Sequence, residues 1–197
     1  MRISHVARKT RETDIVVDLL LDEPGEVIIE TPFPFFSHLL SQVGTHGRMG
    51  LHLVATGDWE VDAHHLTEDT GSALGMAIHD ALGERRGIER FSSETIALDE
   101  ALVRVSMDCS GRGMSFTSLG AERAVALGTP SIYLEHIEEF LRALASHAGL
   151  TLHIASLAGL NTHHILEATA KGLGRGLHKA TRVVSEEIPS TKGTLDG

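Results

Sequence analysis

The nine residues DAHHLTEDT, from Asp62 to Thr70, return as NTHHILEAT from Asn161 to Thr169. His163 follows His64 by 99 residues, and Glu167 follows Glu68 by the same 99. At that offset Leu53 also matches Leu152, Thr70 matches Thr169, Leu74-Gly75 matches Leu173-Gly174, and Ala81 matches Ala180. One helix upstream, His38 in FFSHLL stands where His136 stands in YLEHIE, at an offset of 98. A solenoid needs several short units, so two long copies point instead to two halves related by a pseudo-twofold.

The local patterns supply the elements of each half. Ile3–Arg8, Asp14–Leu21 and Val27–Glu30 read as strands, the last two as a hairpin about Asp22-Glu23-Pro24-Gly25. Apolar residues in 35–45 recur at helical spacing, and Leu51–Ala55 alternates. Ala73, Leu74, Ala77, Ile78 and Ala81 line one side of a helix that Gly83 stops. In the second copy, 101–109 and 114–119 are strand-like around the turn Ser110–Gly113. Helices are expected over 132–148 and from the second HH pair to about Val184, with a strand at 150–154 between them. The order implies an α+β fold of two pseudo-symmetric β-β-α-β-α halves, about 1–92 and 93–197, with helices on one face of the sheet.

Histidine is abundant, at 13 of 197 residues. Residues four apart share a helix face, so His64 with Glu68, and His163 with Glu167, can each chelate one ion from one turn. His65 and His164 point about 100° away and serve a different ion if they are ligands. A closed scheme follows: His64, Glu68, His164 and His136 on one ion, and His163, Glu167, His65 and His38 on the other. Exchanging His38 and His136 is equally symmetric on spacing. Three imidazoles and a carboxylate suit a divalent transition metal, whereas a structural zinc site favours thiolates. Asp69 has Ala168 as its counterpart, so it is expected to support or cap and not to ligate. His5, His79 and His178 are expected at the surface or hydrogen-bonded, and His147 and His153 to be structural.

A net charge of −10 argues against nucleic acid as a partner. It leaves room for a small anion held by local cations: Arg90 after Gly87-Ile88-Glu89, Arg112 in SGRG, and Lys192 in Ser190–Gly193. Lys171, one turn after Glu167, is expected to face the metals, and Arg85 and Arg86 to be surface charges. The single Cys109 allows no internal disulfide, and no apolar run approaches a membrane span. A cytoplasmic protein with no membrane partner is the expectation.

These motifs resemble the imidazoleglycerol-phosphate dehydratase family over nearly the whole chain. The matching stretches include TRETDI (10–15), FFSHLLSQVGTHG (35–47), DAHHLTEDTGSALG (62–75), GIERF (87–91), DEALVRVSMDCSGR (99–112), TLHIASLAGLNTHHILEATAKGL (151–173) and IPSTKG (188–193). The resemblance implies a fold similar to the second domain of ribosomal protein S5. It implies two manganese ions per site, one on His38, His65, His163 and Glu167, the other on His64, Glu68, His136 and His164. A small phosphorylated imidazole substrate would meet Glu12, Gln42, His46, Arg90, Arg112, Lys171, Ser190 and Lys192, with its phosphate on Arg90, Arg112, Ser190 and Lys192. Glu12, Glu167, Lys171 or a hydroxide on the metal would handle protons. Assembly into a large octahedral homo-oligomer, with sites at subunit interfaces, is also implied. The reaction would convert imidazoleglycerol phosphate to imidazole acetol phosphate in histidine biosynthesis. A dinuclear phosphate-ester hydrolase and a metal-storage shell are the competing readings.

The chain departs from the family at Ser37, where aspartate is usual, and at Thr31–Phe36, where the family is richer in glycine. Gly172, Gly174 and Gly176 stand where alanine or a larger residue is more common, at an expected cost of about 1 kcal/mol each in a helix interior. Ser37 is expected to retune a metal on His38.

Overall fold

A computed structural model describes residues 1–195 of the chain. The first half contains strands β1 (Ile3–Lys9), β2 (Thr13–Leu20), β3 (Val27–Glu30) and β4 (Gly50–Gly57), with helices α1 (Pro34–Gly47) and α2 (His64–Leu82). The second contains β5 (Phe91–Leu98), β6 (Ala101–Asp108), β7 (Met114–Ser118) and β8 (Thr151–Ala158), with α3 (Leu134–Ala148) and α4 (Thr162–Thr181). The strand orders are the same in both sheets, β1-β2-β4-β3 and β5-β6-β8-β7. The fold is α+β with two matching halves, and each half opens with one strand beyond the β-β-α-β-α order. In the second half that strand, β5, went unread in the sequence.

β3 does not form a hairpin with β2. It pairs with β4 in parallel, Ile29 facing Leu53. The reason is edge supply: β2 is already bonded on one side to β1 and on the other to β4. β3 therefore takes the free edge of β4, and β7 does the same on β8.

Period-2 patterning explains which sheet face is covered. Ile15, Val17 and Leu19 of β2 are buried, as are Val103, Val105 and Met107 of β6, while the alternate residues face outward. The helices fill the space between the two inner faces, packing in pairs that cross between halves: α2 against α3 and α1 against α4.

Glycines set the closeness of those pairs. A Cβ on Gly174 of α4 would stand 2.4 Å from the Val43 carbonyl oxygen and 2.8 Å from the Gly47 nitrogen of α1. Its repeat partner Gly75 does the same for α2, where a Cβ would meet the Leu144 oxygen of α3 at 2.8 Å. The helix-propensity reading of Gly174 is thus corrected, because backbone occupies the place of a side chain. Gly174→Ala should lower stability by about 1–3 kcal/mol through overpacking, despite a propensity gain of about 1 kcal/mol. A urea midpoint that rises in this variant would refute the close-packing account.

Two further expectations change. Arg85 is not a surface charge: it is 3% exposed and donates to the Ala148 carbonyl at 3.0 Å. Asp69 does not cap α2. It binds the Arg8 guanidinium and the Thr13 hydroxyl, tying α2 to the first sheet.

Candidate metal centre

Both HH pairs open a helix, and both are started by the residue two places earlier. The Asn161 side chain accepts from the His163 backbone N–H at 2.9 Å, and the Asp62 carboxylate accepts from that of His64. This is the N-terminal requirement of a helix met by short polar side chains, duplicated with the repeat.

On the α1–α4 seam, His38, His163 and Glu167 converge. The Nε2 atoms of both histidines lie 3.1 Å from Glu167 Oε2. Each residue can offer one ligand atom, all within 4.8 Å of one another, and no other such group of three occurs among the described residues. Lys171 holds the other carboxylate oxygen at 2.7 Å. Burial alone would raise the Glu167 pKa. Hydrogen bonds from Lys171, His38 and His163, with the Lys171 charge, outweigh it and bring the pKa to about 2. Phe35 closes one side, its ring 4.9 Å from that of His163. Two imidazoles and an ionised carboxylate at the edge of a packed seam are a donor set that fits a divalent transition ion.

The α2–α3 seam carries the related set in a looser state. His64 Nε2 is 3.4 Å from Glu68 Oε2, and Arg142 of α3 binds the other Glu68 oxygen at 2.6 Å. His136 is buried, and its Nδ1 accepts from the Tyr133 backbone N–H at 3.1 Å. Its Nε2 faces Asp62 at 3.6 Å. Burial foremost holds its pKa down. With Nδ1 accepting, the neutral ring carries its proton on Nε2.

The remaining histidines stand apart from both sets. His65 Nδ1 is 3.1 Å from Asp58 and 3.9 Å from Glu12. The Asp58 hydrogen bond foremost raises its pKa. His164 Nδ1 is 2.8 Å from Glu100, and that bond raises its pKa in turn. Sequence reasoning missed Asp58, Glu100 and Arg142. Glu100 lies within the quoted stretch DEALVR, while Arg142 is far from the histidines in the chain and carried no local signal.

Glu100 also accepts from the backbone N–H groups of Asn161 at 2.9 Å and Leu160 at 3.3 Å. The Asn161 bond foremost, then His164, lowers its pKa to about 2 from the usual 4.5. A depressed carboxyl stabilises the fold above its unfolded pKa and loses that contribution as pH falls through the folded one. Metal-free Glu100→Gln should therefore melt below the parent at pH 7, with the gap closing between about pH 4.5 and 2. A gap independent of pH would refute this.

The anion-binding candidates form a separate group. Arg90 is bidentate to Asp108, at 2.8 and 3.1 Å, and donates to the Pro189 carbonyl at 2.7 Å, drawing the tail onto the second sheet. Arg112 approaches the same Asp108 at 3.8 Å, and the Ser190 hydroxyl accepts from the Lys192 backbone N–H at 3.2 Å. Asp108 ends β6, whereas Glu100, beside His164, immediately precedes it. At about 3.3 Å per residue the two ends lie roughly 25 Å apart. One chain does not bring its own Arg90 and Arg112 to its own α4 histidines.

Gln42 and His46 follow His38 at four-residue steps along α1, so all three share a face. Burial, then the charges of Lys171 and Arg175, lowers the His46 pKa. Ser37 turns its hydroxyl to Thr31, at 2.9 Å. His5 pairs with Asp18, His79 with Asp80, and His147 meets the Ala143 carbonyl, while His153 stacks on Phe116. Among the described residues no helix is long and apolar enough to cross a membrane.

The family model for imidazoleglycerol-phosphate dehydratase matches residues 31–177. A protein of that name from Thermoanaerobacter pseudethanolicus is 50% identical over 199 residues, covering 99% of this chain and 100% of the relative. One from Saccharolobus islandicus is 46% identical over 194 residues, covering 98% and 99%. The crystal structure of IGPD from Pyrococcus furiosus in complex with (S)-C348 superposes with a TM-score of 0.81 at 34% identity, covering 96% of this chain and 99% of that one. The Staphylococcus aureus imidazoleglycerol-phosphate dehydratase gives 0.80 at 30% identity, covering 92% and 99%.

Proposed function

This chain belongs to the imidazoleglycerol-phosphate dehydratase family, hydro-lyases of histidine biosynthesis, and from that premise we propose how its residues do the work. The reaction is loss of water from D-erythro-imidazoleglycerol phosphate to give imidazole acetol phosphate, in the cytoplasm, with two manganese ions per site. His38, His163, Glu167 and His65 would hold one ion, and His64, Glu68, His136 and His164 the other. The observation that carries this reading is the His38–His163–Glu167 cluster, with its looser pseudo-symmetric counterpart on α2 and α3.

The chemistry asks for acid and base work around an imidazole ring. The hydrogen removed sits on an unactivated carbinol carbon that a side-chain base cannot deprotonate directly. Manganese, when bound, supplies Lewis acidity that favours the deprotonated ring and so assists departure of the hydroxyl. Glu167, held ionised by Lys171, is a weak base and serves as a ligand. Proton transfer at the chain carbon falls to Glu12, 3.9 Å from His65. Gln42 and His46 orient the substrate along α1. Arg90, Arg112, Ser190 and Lys192 hold its phosphate, which fixes the ring against the site.

The roughly 25 Å between the two groups within one chain supports a site shared between copies in a large homo-oligomer. His65 and His164, each beside a carboxylate and away from the intrachain sets, are the residues a neighbouring copy would receive. The test is full-length protein with manganese and imidazoleglycerol phosphate, followed for imidazole acetol phosphate. Ketone formation supports the dehydratase reading. Release of inorganic phosphate without ketone would replace it with the hydrolase reading.

A further inference from the structure

Along the α1–α4 seam lies a groove that meets the proposed substrate face only at His46, and whose cations take no part in the proposed reaction. It encloses about 340 Å³ and is lined by His46, Arg48, Glu94, Arg175, His178, Lys179 and Arg182. Only Glu94 among these is acidic, in a chain whose net charge is −10. Glu94 is already shared, bonding Arg175 at 3.2 Å and Lys179 at 3.3 Å. Arg182 has Glu89 at 3.9 Å, at the limit of an ion pair. The C-terminal ends of α1 and α4 add about half a negative charge each. Four permanent cations against two carboxylates and two helix ends leave roughly one positive charge unmatched.

The crowding is visible in the neighbours. Burial foremost, then the charges of Arg48, Arg182 and Arg175, lowers the His178 pKa. Arg48 adopts left-handed backbone, φ 50°, to end α1 beside α4. Arg175 is eight residues beyond Glu167, about 12 Å along the helix, so the groove is separate from the metal ligands. The Arg90 guanidinium is held by Asp108 and the Pro189 carbonyl, and Arg90 is not among the residues lining the groove.

We propose that this groove is a binding site for a phosphate-sized dianion, distinct from the metal centre and from the Arg90–Arg112 cluster. Arg48 and Arg182, on different helix ends, would hold the oxyanion from two sides, with Arg175 beside them. Free phosphate and the phosphate of a sugar-like ester share the recognising chemistry.

The experiment titrates full-length, manganese-loaded protein, freed of excess metal, with inorganic phosphate by calorimetry. An Arg112→Gln background silences the other cluster. Binding should persist in that background and weaken at least tenfold when Arg48→Gln and Arg182→Gln are added, while Arg48→Lys with Arg182→Lys retains it. Circular dichroism and melting check the fold of each variant. Arg48→Gln/Arg182→Gln with Arg112 left intact is assayed with imidazoleglycerol phosphate in phosphate-free buffer. A KM within twofold of the parent assigns the groove to a free oxyanion, and a KM raised tenfold assigns it to the substrate's own phosphate. Loss of all phosphate binding on Arg112→Gln alone overturns the proposal. So does an absence of phosphate binding with a change of assembly state in Arg48→Gln/Arg182→Gln, which would mean that a second copy covers the groove.

Discussion

Glu167→Gln should empty the half-site on the α1–α4 seam and lower kcat/KM by at least about two orders of magnitude. The substitution keeps the side chain's size, and the amide oxygen can still accept from Lys171. What it removes is the charge that His38 and His163 converge on, at 3.1 Å each. A neutral amide is a poor ligand for a divalent ion beside a lysine, so metal content should fall along with turnover. Glu68→Gln should act in the same direction on the other seam. There Arg142 takes the place that Lys171 holds. Elemental analysis of dialysed protein, alongside turnover and a melting curve, separates metal loss from misfolding. Full metal retention in both variants would refute the ligand assignment.

Phe36→Ala should cost about 3–5 kcal/mol, the largest stability effect expected of a single substitution in this chain. Phe36 is fully buried on α1 and meets Phe140 of α3 edge to face, with centroids 5.2 Å apart. The pair joins the two halves, and edge-to-face geometry adds about 0.5–1.5 kcal/mol to the area it buries. The surrounding seam leaves only about 20 Å³ of free space, so a deleted ring leaves a true cavity. Phe36 also precedes His38 by two residues, so weakened metal binding should accompany the lost stability. Urea unfolding at fixed protein concentration measures the change, since self-association would otherwise shift the midpoint. A loss below about 1 kcal/mol would mean that the halves are held together elsewhere.

Most of the elements were legible because their patterns are local. The amphipathic runs of α2 and α3 and the alternation in β2, β4 and β6 are periodic signals over one element each. β5 was missed because its alternation is inverted at the start: Phe91 is 56% exposed, while the polar Ser92 and Glu94 fall on the covered face. The hairpin assigned to β3 failed for a different reason. Adjacent strands in sequence pair only if an edge is free, and β2 had none. Arg85 was misread because a charged residue after a helix usually stays in water, whereas here it reaches the Ala148 carbonyl across the halves.

The site divides along the same line. The chain alone determined that His64 shares a face with Glu68 and His163 with Glu167, because a helix repeats every 3.6 residues. It determined equally that His65 and His164 point elsewhere. It left open whether His38 lies against the second pair or the first. Tertiary structure decided that: α1 meets α4 and α2 meets α3, because Gly174 and Gly75 lack the Cβ that would hold the backbones apart. That choice puts His38 within 3.1 Å of Glu167. Tertiary structure also placed Arg90 and Arg112 at the far end of β6 from the α4 histidines, a separation set by strand rise that no motif spacing in the chain reveals.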